Sequence, residues 1–299
     1  MNVDQEGEGV STRCADLPPR PLTVHIIGAS GRSGQALCRA LGPRSVPVVR
    51  DVARWAATGL PGTPRVADLV LGGLDAALAD AEVVVSCAHA RHIPAILAAA
   101  PGAQRFVFLG STRKFTRWPD DHGTGVLAGE AAFMASGRPG VLLHPTMIYG
   151  AQGEDNVRRL AALLRRLPVV PLPGGGRALV QPIHQTDVTR CILAALDAAW
   201  DGPESLVIAG PRAIPYAEFV QTVALAAGLA RPRIVGVPAA FLLAATALTV
   251  LPGLPRIRPA ELRRLLEDKA FDIGPMQAKL GIDPVELAQG LADTFAGHP

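Results

Sequence analysis

Short apolar runs alternate with helical patterns along the chain from Leu22 onward. The runs have the length of strands and cover residues 22–27, 46–50, 65–69, 82–87 and 105–109. Two stretches between or after them show the i, i+3, i+4, i+7 spacing of a helix with one buried face. Their apolar positions are Gly34, Leu37, Cys38 and Leu41, and then Val188, Cys191, Ile192, Ala195 and Leu196. Strands that alternate with helices predict an α/β protein with a Rossmann-type, doubly wound parallel sheet.

The character of the sequence changes after about residue 150. Four prolines and three consecutive glycines separate shorter elements there, namely Pro168, Pro171, Pro173, Pro182 and residues 174–176. We therefore expect a dinucleotide-type core over 22–150 and a smaller C-terminal substrate lobe over 151–299, with residues 178–210 rejoining the core. Residues 1–21 have four acidic side chains and no apolar run. A flexible tail is expected there rather than a signal peptide.

Composition narrows the classes of function. Of the 299 residues, 49% are hydrophobic and 18% are charged, as in ordinary globular domains. A net charge of +3 and an aromatic content of 4% argue against a nucleic-acid partner. The four cysteines form no CxxC pair and the seven histidines no HExxH motif, so no metal site is predicted. We expect reduced thiols and a cytoplasmic location.

One apolar stretch, residues 239–251, lies between Pro238 and Pro252. As a helix it would reach only about 20 Å, which is short of the roughly 30 Å of a bilayer's hydrocarbon core. No transmembrane span is therefore predicted. A buried helix, the wall of an apolar pocket and a peripheral contact with a membrane surface all remain open.

A glycine-rich loop follows the first predicted strand directly. The segment GASGRSG, residues 28–34, has a GxxGxxG pattern and precedes the first amphipathic helix. Glycines let the backbone turn tightly and approach a pyrophosphate, and the helix N-terminus offers free N–H groups. The loop is predicted to bind the diphosphate of a dinucleotide. The residues concerned are Gly28, Ser30, Gly31, Arg32, Ser33 and Gly34.

The residues after the second strand bear on the choice between NADP and NAD. Arg50 stands where NAD-binding domains usually carry an acid, and a guanidinium pairs with a 2′-phosphate. Arg32 in the glycine loop is a second cation for that group. We therefore predict NADP as the cofactor. Asp51 follows Arg50 directly and leaves NAD possible, since a carboxylate accepts from a ribose 2′-hydroxyl.

Further segments occur in a familiar order along the chain. They are residues 67–69 (ADL), 108–112 (FLGST), 129–130 (GE), 143–150 (LHPTMIYG) and 182–188 (PIHQTDV). Together with the glycine loop they resemble the extended and atypical short-chain dehydrogenases/reductases, which include nucleotide-sugar epimerases and dehydratases. The resemblance implies that Asp68 and Leu69 flank the adenine, that Cys87, Ala88 and His89 lie near the cofactor ribose, that Ser111 lies beside the nicotinamide, and that the segment from Pro145 to Ile148 closes over the carboxamide.

The chain departs from that family at the catalytic pair. The family normally uses a Tyr with a Lys four residues later, and the Lys lowers the pKa of the phenol. Neither of the two tyrosines, Tyr149 and Tyr216, has this lysine. Aligned on Glu130, the Tyr position holds His122 and the Lys position holds Val126. The arginine that the family usually has before the proline is replaced as well, since His144 precedes Pro145 in this chain.

Three interpretations of this gap stay open. His122 acts as the proton donor while Ser111 orients the substrate, since a histidine titrates at about pH 6.5. In the second interpretation, water or the substrate itself supplies the proton. In the third, no chemistry occurs. The alternative to a catalytic His122 is that it is simply a loop residue.

The expected function is an NAD(P)H-dependent oxidoreductase that acts on a small or hydrophobic carbonyl or unsaturated substrate. The alternative is a non-catalytic NAD(P)-binding sensor or assembly subunit. A nucleotide-sugar epimerase or dehydratase ranks lower because the Tyr–Lys pair is absent. The expected partner is a small molecule, and the oligomeric state is left open.

Overall fold

The computed structural model describes residues 22–151, 155–238, 240–241 and 263–296. Its strands are β1 (Val24–Ile27), β2 (Ser45–Val49), β3 (Arg65–Val66), β4 (Val83–Ser86), β5 (Arg105–Leu109), β6 (Gly140–Pro145), β7 (Ile148–Tyr149), β8 (Val169–Pro173), β9 (Leu179–Val180), β10 (Ile183–His184), β11 (Pro203–Ile208), β12 (Ile214–Pro215) and β13 (Arg233–Val237). Its helices are α1 (Arg32–Leu41), α2 (Val52–Ala56), α3 (Leu74–Leu78), α4 (Ile93–Ala99), α5 (Asp121–Ser136), α6 (Asn156–Leu164), α7 (Gln185–Asp197), α8 (Tyr216–Ala226), α9 (Gly274–Leu280) and α10 (Leu287–Ala296).

Seven strands form one sheet in the order β11-β6-β5-β4-β1-β2-β3. Every neighbouring pair in it is parallel, which confirms the predicted Rossmann-type α/β fold. The predicted strand over 65–69 is shorter in the structure. It ends early because the Asp68 carboxylate accepts hydrogen bonds from the backbone N–H groups of Val70 and Leu71, which turns the chain.

Helices cover both faces of the sheet. The buried residues of α1, α7 and α9 share one apolar cluster with the strands, and those of α3, α4 and α5 share the cluster on the opposite face. The apolar positions predicted for the first helix and for the stretch 188–196 are all buried, as their spacing indicates. Close packing of α5 depends on Gly129, since a Cβ there would lie 2.1 Å from the carbonyl oxygen of Ala90.

The C-terminal half adds three two-stranded pairings, β10 with β7, β12 with β9, and β13 with β8. Buried residues of α6, α8 and α10 form a further apolar cluster beside them. Within 178–210, β11 pairs with β6 at the edge of the main sheet. The predicted tail, 1–21, and nearly all of the apolar stretch 239–251 lie outside the described residues. In the parts of the chain that the structure describes, we find no helix with the length and apolar character that crossing a bilayer requires.

The sheet brings the carboxyl ends of its central strands to one edge. In the register, Ile27 of β1 lies beside Ser86 of β4, and Ser86 lies beside Phe108 of β5. Leu109 in turn pairs with Leu143 of β6. Ligands of open α/β sheets bind in the crevice beyond such ends. The candidate site is built there.

Candidate functional site

The glycine loop forms a cradle between β1 and α1. Gly28 has φ +77°, a conformation that favours glycine, and its N–H donates to the carbonyl of Val48. A Cβ at Gly34 would lie 2.3 Å from the carbonyl oxygen of Gly28, so the turn packs directly against the helix. Gly31 precedes α1 and provides no side-chain cap for the helix. The open helix N-terminus and the glycine backbone fit the diphosphate of a dinucleotide.

A cavity of about 320 Å³ lies beside the loop, at the ends of β2 and β3. It is lined by seven of the predicted cofactor residues: Gly28, Ser30, Gly31, Arg50, Asp68, Leu69 and Cys87. The hydrogen bonds from the Leu71 and Val70 amides lower the pKa of the Asp68 carboxyl. An ionised, anchored carboxylate at this end suits the adenine-side role that the resemblance implies for Asp68.

The arginines that line this cavity are not both the predicted ones. Arg50 and Arg54 both line it, whereas Arg32 does not and instead pairs with Asp155. Asp51 also lines it, but one of its carboxylate oxygens caps α2 by accepting from the Arg54 backbone N–H at 3.0 Å. Arg54 was missed in the sequence. The available signal was its position four residues after Arg50, on the first turns of the helix that follows β2.

A second cavity, of about 360 Å³, lies at the ends of β4, β5 and β6. It brings together eight predicted residues from distant parts of the chain: Ser33, Cys87, Ala88, His89, Ser111, His122, Pro145 and Ile148. We call it the nicotinamide-side cavity, after the part of the cofactor that the resemblance places there. Among the predicted site residues, Arg32 and Gly34 line neither cavity. The roles of all these residues in binding and catalysis stay predictions.

His122 lies in the first turn of α5, whose N-terminus Asp120 caps by accepting from the backbone N–H of Gly123. Its ring makes an edge-to-face contact with His89 at 4.4 Å between centroids. Burial, followed by the nearby Arg113 guanidinium, lowers the pKa of His122 below its usual value. The imidazole is therefore neutral at pH 7 and able to accept a proton. Among the described residues, its buried Nδ1 has no hydrogen-bond partner.

Val126 lines the same cavity one helical turn after His122 and is 1% exposed. The resemblance aligns these two positions with the family's Tyr–Lys pair, but this chain has an imidazole and an aliphatic side chain there. An aliphatic group cannot lower a neighbour's pKa by its charge. The acid–base candidates of this cavity are therefore its two imidazoles, His122 and His89.

Ser111 is held in place by two hydrogen bonds. Its backbone N–H donates to Nδ1 of His144 at 3.2 Å, and its hydroxyl oxygen accepts from the Arg113 backbone N–H at 3.1 Å. Gly110 lets the imidazole lie directly under this turn, since a Cβ there would be 2.5 Å from His144 Nδ1. The Ser111 hydroxyl keeps its proton available to donate to a ligand.

The buried His144 belongs to a chain of polar groups. Because Nδ1 accepts from Ser111, we assign the ring proton to Nε2, which lies 3.1 Å from the Ser205 hydroxyl. Ser205 donates to Glu130 at 2.6 Å, and Lys114 donates to the other Glu130 oxygen at 2.7 Å. Burial, together with the Lys114 charge, lowers the pKa of His144 to about 4. Sequence reasoning missed Lys114 and Ser205, which are far from His144 along the chain.

Among the described residues, no three His, Cys, Asp or Glu side chains are arranged to hold a metal ion. The described cysteines Cys38, Cys87 and Cys191 are free thiols. Burial raises the pKa of the Cys87 thiol to about 12, so it is not a thiolate nucleophile at neutral pH.

No protein-family model matches the chain, and no curated protein matches it in sequence. Solved structures match it over 92% of its length. MoeE5 in complex with UDP-glucuronic acid and NAD has 20% identity, 98% of its own chain covered and a TM-score of 0.69. UDP-glucuronic acid 4-epimerase from Bacillus cereus, with UDP-glucuronic acid and NAD, has 16% identity, 98% of its own chain covered and a TM-score of 0.70. UDP-glucose 4-epimerase from Thermotoga maritima has 16% identity, 98% of its own chain covered and a TM-score of 0.68.

The chain has the extended short-chain dehydrogenase/reductase fold. This similarity corrects one expectation, because two of these three structures are UDP-sugar 4-epimerases and the third contains a UDP-sugar. The expectation of a reductase for a small or hydrophobic carbonyl or unsaturated substrate is wrong. It gave too much weight to the missing Tyr–Lys pair and to the apolar stretch 239–251. Among the described residues, the cavity beyond Ser111 is lined by charged as well as apolar side chains, and Arg113 and Lys269 are among the charged ones.

Proposed function

We propose that this protein is a nucleotide-sugar epimerase that binds a nicotinamide dinucleotide and uses His122 as its proton-transferring side chain. One observation carries the proposal: His122 and Ser111 line a single cavity with Ser33 of the glycine loop. The UDP-sugar complexes among structures of the same fold support the class of substrate.

The proposed cofactor is NADP. Arg50 and Arg54 line the cavity beside the glycine loop, and two guanidinium groups favour a 2′-phosphate over a 2′-hydroxyl. NAD is the comparison that any test must include, because the neighbouring structures contain NAD. When bound, the nicotinamide supplies a reversible acceptor of hydride.

In this proposal, side chains of the protein transfer the proton of the sugar hydroxyl. Neutral His122 accepts the proton of the sugar hydroxyl that is oxidised and returns it when the carbonyl is reduced. The Ser111 hydroxyl donates a hydrogen bond to the same substrate oxygen, and the His144 contact fixes the Ser111 turn. The His89 ring limits the orientations of His122. A neutral base suits this task because the hydroxyl proton has to leave together with the hydride.

The experiment is proton NMR of UDP-glucose and UDP-glucuronic acid incubated with the purified protein and NADP or NAD. Conversion of either sugar to its 4-epimer, lost in His122→Asn, is the expected result. If the protein binds a dinucleotide tightly and converts neither sugar, the epimerase proposal is wrong and a binding protein without this catalysis is left.

A further inference from the structure

A cavity of about 360 Å³ adjoins the nicotinamide-side cavity and shares Ser111 and Thr146 with it. We call it the outer cavity. One of its walls is the turn after β5, and another is the segment 264–271, which precedes α9. A substrate that reaches the nicotinamide-side cavity past Ser111 therefore lies against these two walls.

The outer cavity is lined by more cationic than acidic side chains. Four cations line it: Arg113, Arg117, Arg264 and Lys269. Its two acids hold the walls together, since Glu267 accepts from the Thr116 hydroxyl at 2.9 Å and Asp268 accepts from the Leu179 backbone N–H at 2.9 Å. Carboxylate oxygens used in this way are less available to neutralise the cations, although Asp120, outside the lining, pairs with Arg113 and Arg264.

Lys269 is a half-buried cation with capacity for a ligand, whereas Arg117 is exposed. Its Nζ donates to the Arg264 carbonyl at 2.7 Å, and among the described residues we find no second acceptor for it. An ammonium group has three N–H donors. Burial lowers the pKa of Lys269, against the raising effect of Glu267. An anion placed beside Nζ would accept from the remaining donors and compensate for the partial burial of the charge.

The lining of the outer cavity also includes apolar side chains. The rings of Phe115 and Phe271 lie 5.6 Å apart between centroids, and Met147 lies in the same lining. Such a surface covers the carbon-rich face of a ligand. A purely inorganic anion would leave it without a contact, so the lining fits an anionic group attached to an organic ring.

We infer that the outer cavity binds an anionic oxygen group of the substrate, a carboxylate or a phosphate, through Lys269 and so selects acidic sugars or sugar phosphates. The identity of the rest of the ligand rests on the proposed epimerase function. The anion site itself rests on the outer cavity alone. Lys269 is in this inference a specificity-determining residue, distinct from the proton transfer at His122.

Competitive acetylation with acetic anhydride, measured lysine by lysine by mass spectrometry, tests the inference in the wild-type protein loaded with NADP. The chain has three lysines, and Lys279, which pairs with Glu204 on the surface, is the internal control. UDP-glucuronic acid, UDP-glucose and inorganic phosphate are the three probes. Acetylation of Lys269 should slow with at least one of them while that of Lys279 does not change.

The comparison of probes identifies the group. Protection by UDP-glucuronic acid alone assigns the site to a sugar carboxylate, and equal protection by UDP-glucose or by phosphate assigns it to a phosphate. Lys269→Met should weaken binding of the protecting probe roughly tenfold or more, as expected for the loss of a charge-assisted hydrogen bond. Lys269→Arg should retain binding, and Lys279→Met should have no effect.

No protection of Lys269 by any of the three probes overturns the inference. This failure is separable from a failure of the proposed function, because the labelling requires no turnover. Protection without epimerisation retains the anion site and removes the epimerase, whereas epimerisation without protection retains the epimerase and removes the anion site.

Discussion

The backbone N–H of Ser111 donates a hydrogen bond to Nδ1 of His144, 3.2 Å away, just beyond the end of β5. This bond joins the turn that carries a candidate substrate contact to a buried polar network. The imidazole accepts only while it is neutral. Protonation would place a second donor against the Ser111 N–H, so the geometry of the turn depends on the charge of a side chain that is 0% exposed.

Stability should therefore fall as the pH is lowered through the range of His144. In the folded protein its pKa is about 4, whereas the unfolded chain takes up the proton at about 6.5. The contribution is complete above pH 6.5 and is lost progressively down to pH 4, on the order of 3 kcal/mol. Urea unfolding at several pH values measures it.

His144→Asn is the matched variant, because its side-chain oxygen can still accept from Ser111 and does not titrate. The other described histidines with lowered pKa, among them His25 and His89, still contribute to the slope in both proteins. The variant should show a clearly weaker pH dependence of the free energy of unfolding between pH 4 and 6.5. An identical dependence would show that His144 titrates normally.

Replacement of His122 by alanine should lower epimerase turnover by roughly 10²–10⁴-fold, the range for loss of a general acid–base group. The reason is that Val126 offers no base, and burial lowers the pKa of His89, the other imidazole of the lining, to about 4, which makes it a weak base. Thr124→Ala, on the exposed side of the same helical turn, is the control and should keep full activity. Turnover that is equal in His122→Ala and the wild type would remove His122 from the mechanism.

Gly34→Ala should destabilise the fold itself. The added Cβ would meet the Gly28 carbonyl oxygen at 2.3 Å and the Ala29 Cα at 2.7 Å, and these backbone atoms cannot move aside as a flexible side chain can. We expect a loss of roughly 1–3 kcal/mol in the free energy of unfolding, the usual range for overpacking. Gly102→Ala, where a Cβ has no neighbour within 4 Å, is the control, and equal losses in the two variants would contradict the tight packing at Gly34.

Cofactor choice should respond to two arginines and not to a third. Arg50→Ala and Arg54→Ala should each weaken NADP binding roughly 10- to 100-fold, as for a lost charged hydrogen bond, and leave NAD binding nearly unchanged. Arg32→Ala should not discriminate between the two, because Arg32 pairs with Asp155 and lies outside the lining of the cavity that holds Arg50. Fluorescence titration with both dinucleotides measures the ratio, and a ratio that changes only in Arg32→Ala would reverse the assignment.

Much of the fold follows from local patterns. The alternation of apolar runs and helical faces locates five of the seven strands of the sheet, β1 to β5, and the buried positions of α1, since burial imposes a period that the sequence shows directly. The short β3 was not predictable in this way, because the Asp68 side chain ends it through bonds to its own neighbours. The strand propensities of the residues do not show that a side chain competes with the neighbouring strand for these backbone hydrogen bonds.

The candidate site was predictable where it follows strand ends, and less so elsewhere. The resemblance indicated His122 and Ser111, and the structure brings them into one cavity. The partners of His144 come from three separate elements, so only the fold brings Lys114 and Ser205 together with it. The direction of a long side chain such as Arg32 is set by its tertiary partner, which the sequence does not show.

Dinucleotide binding at the glycine loop is the step on which every proposed activity depends. Calorimetric titration of the cofactor-stripped protein with NADP and with NAD measures it directly. The wild type should bind at least one of them, with NADP tighter. Gly31→Val, which places a branched side chain in the cradle beside the Gly28 carbonyl, should bind neither although its circular dichroism matches the wild type. No heat of binding from the wild type with either dinucleotide, or undiminished affinity in Gly31→Val, would contradict the assignment of the cleft.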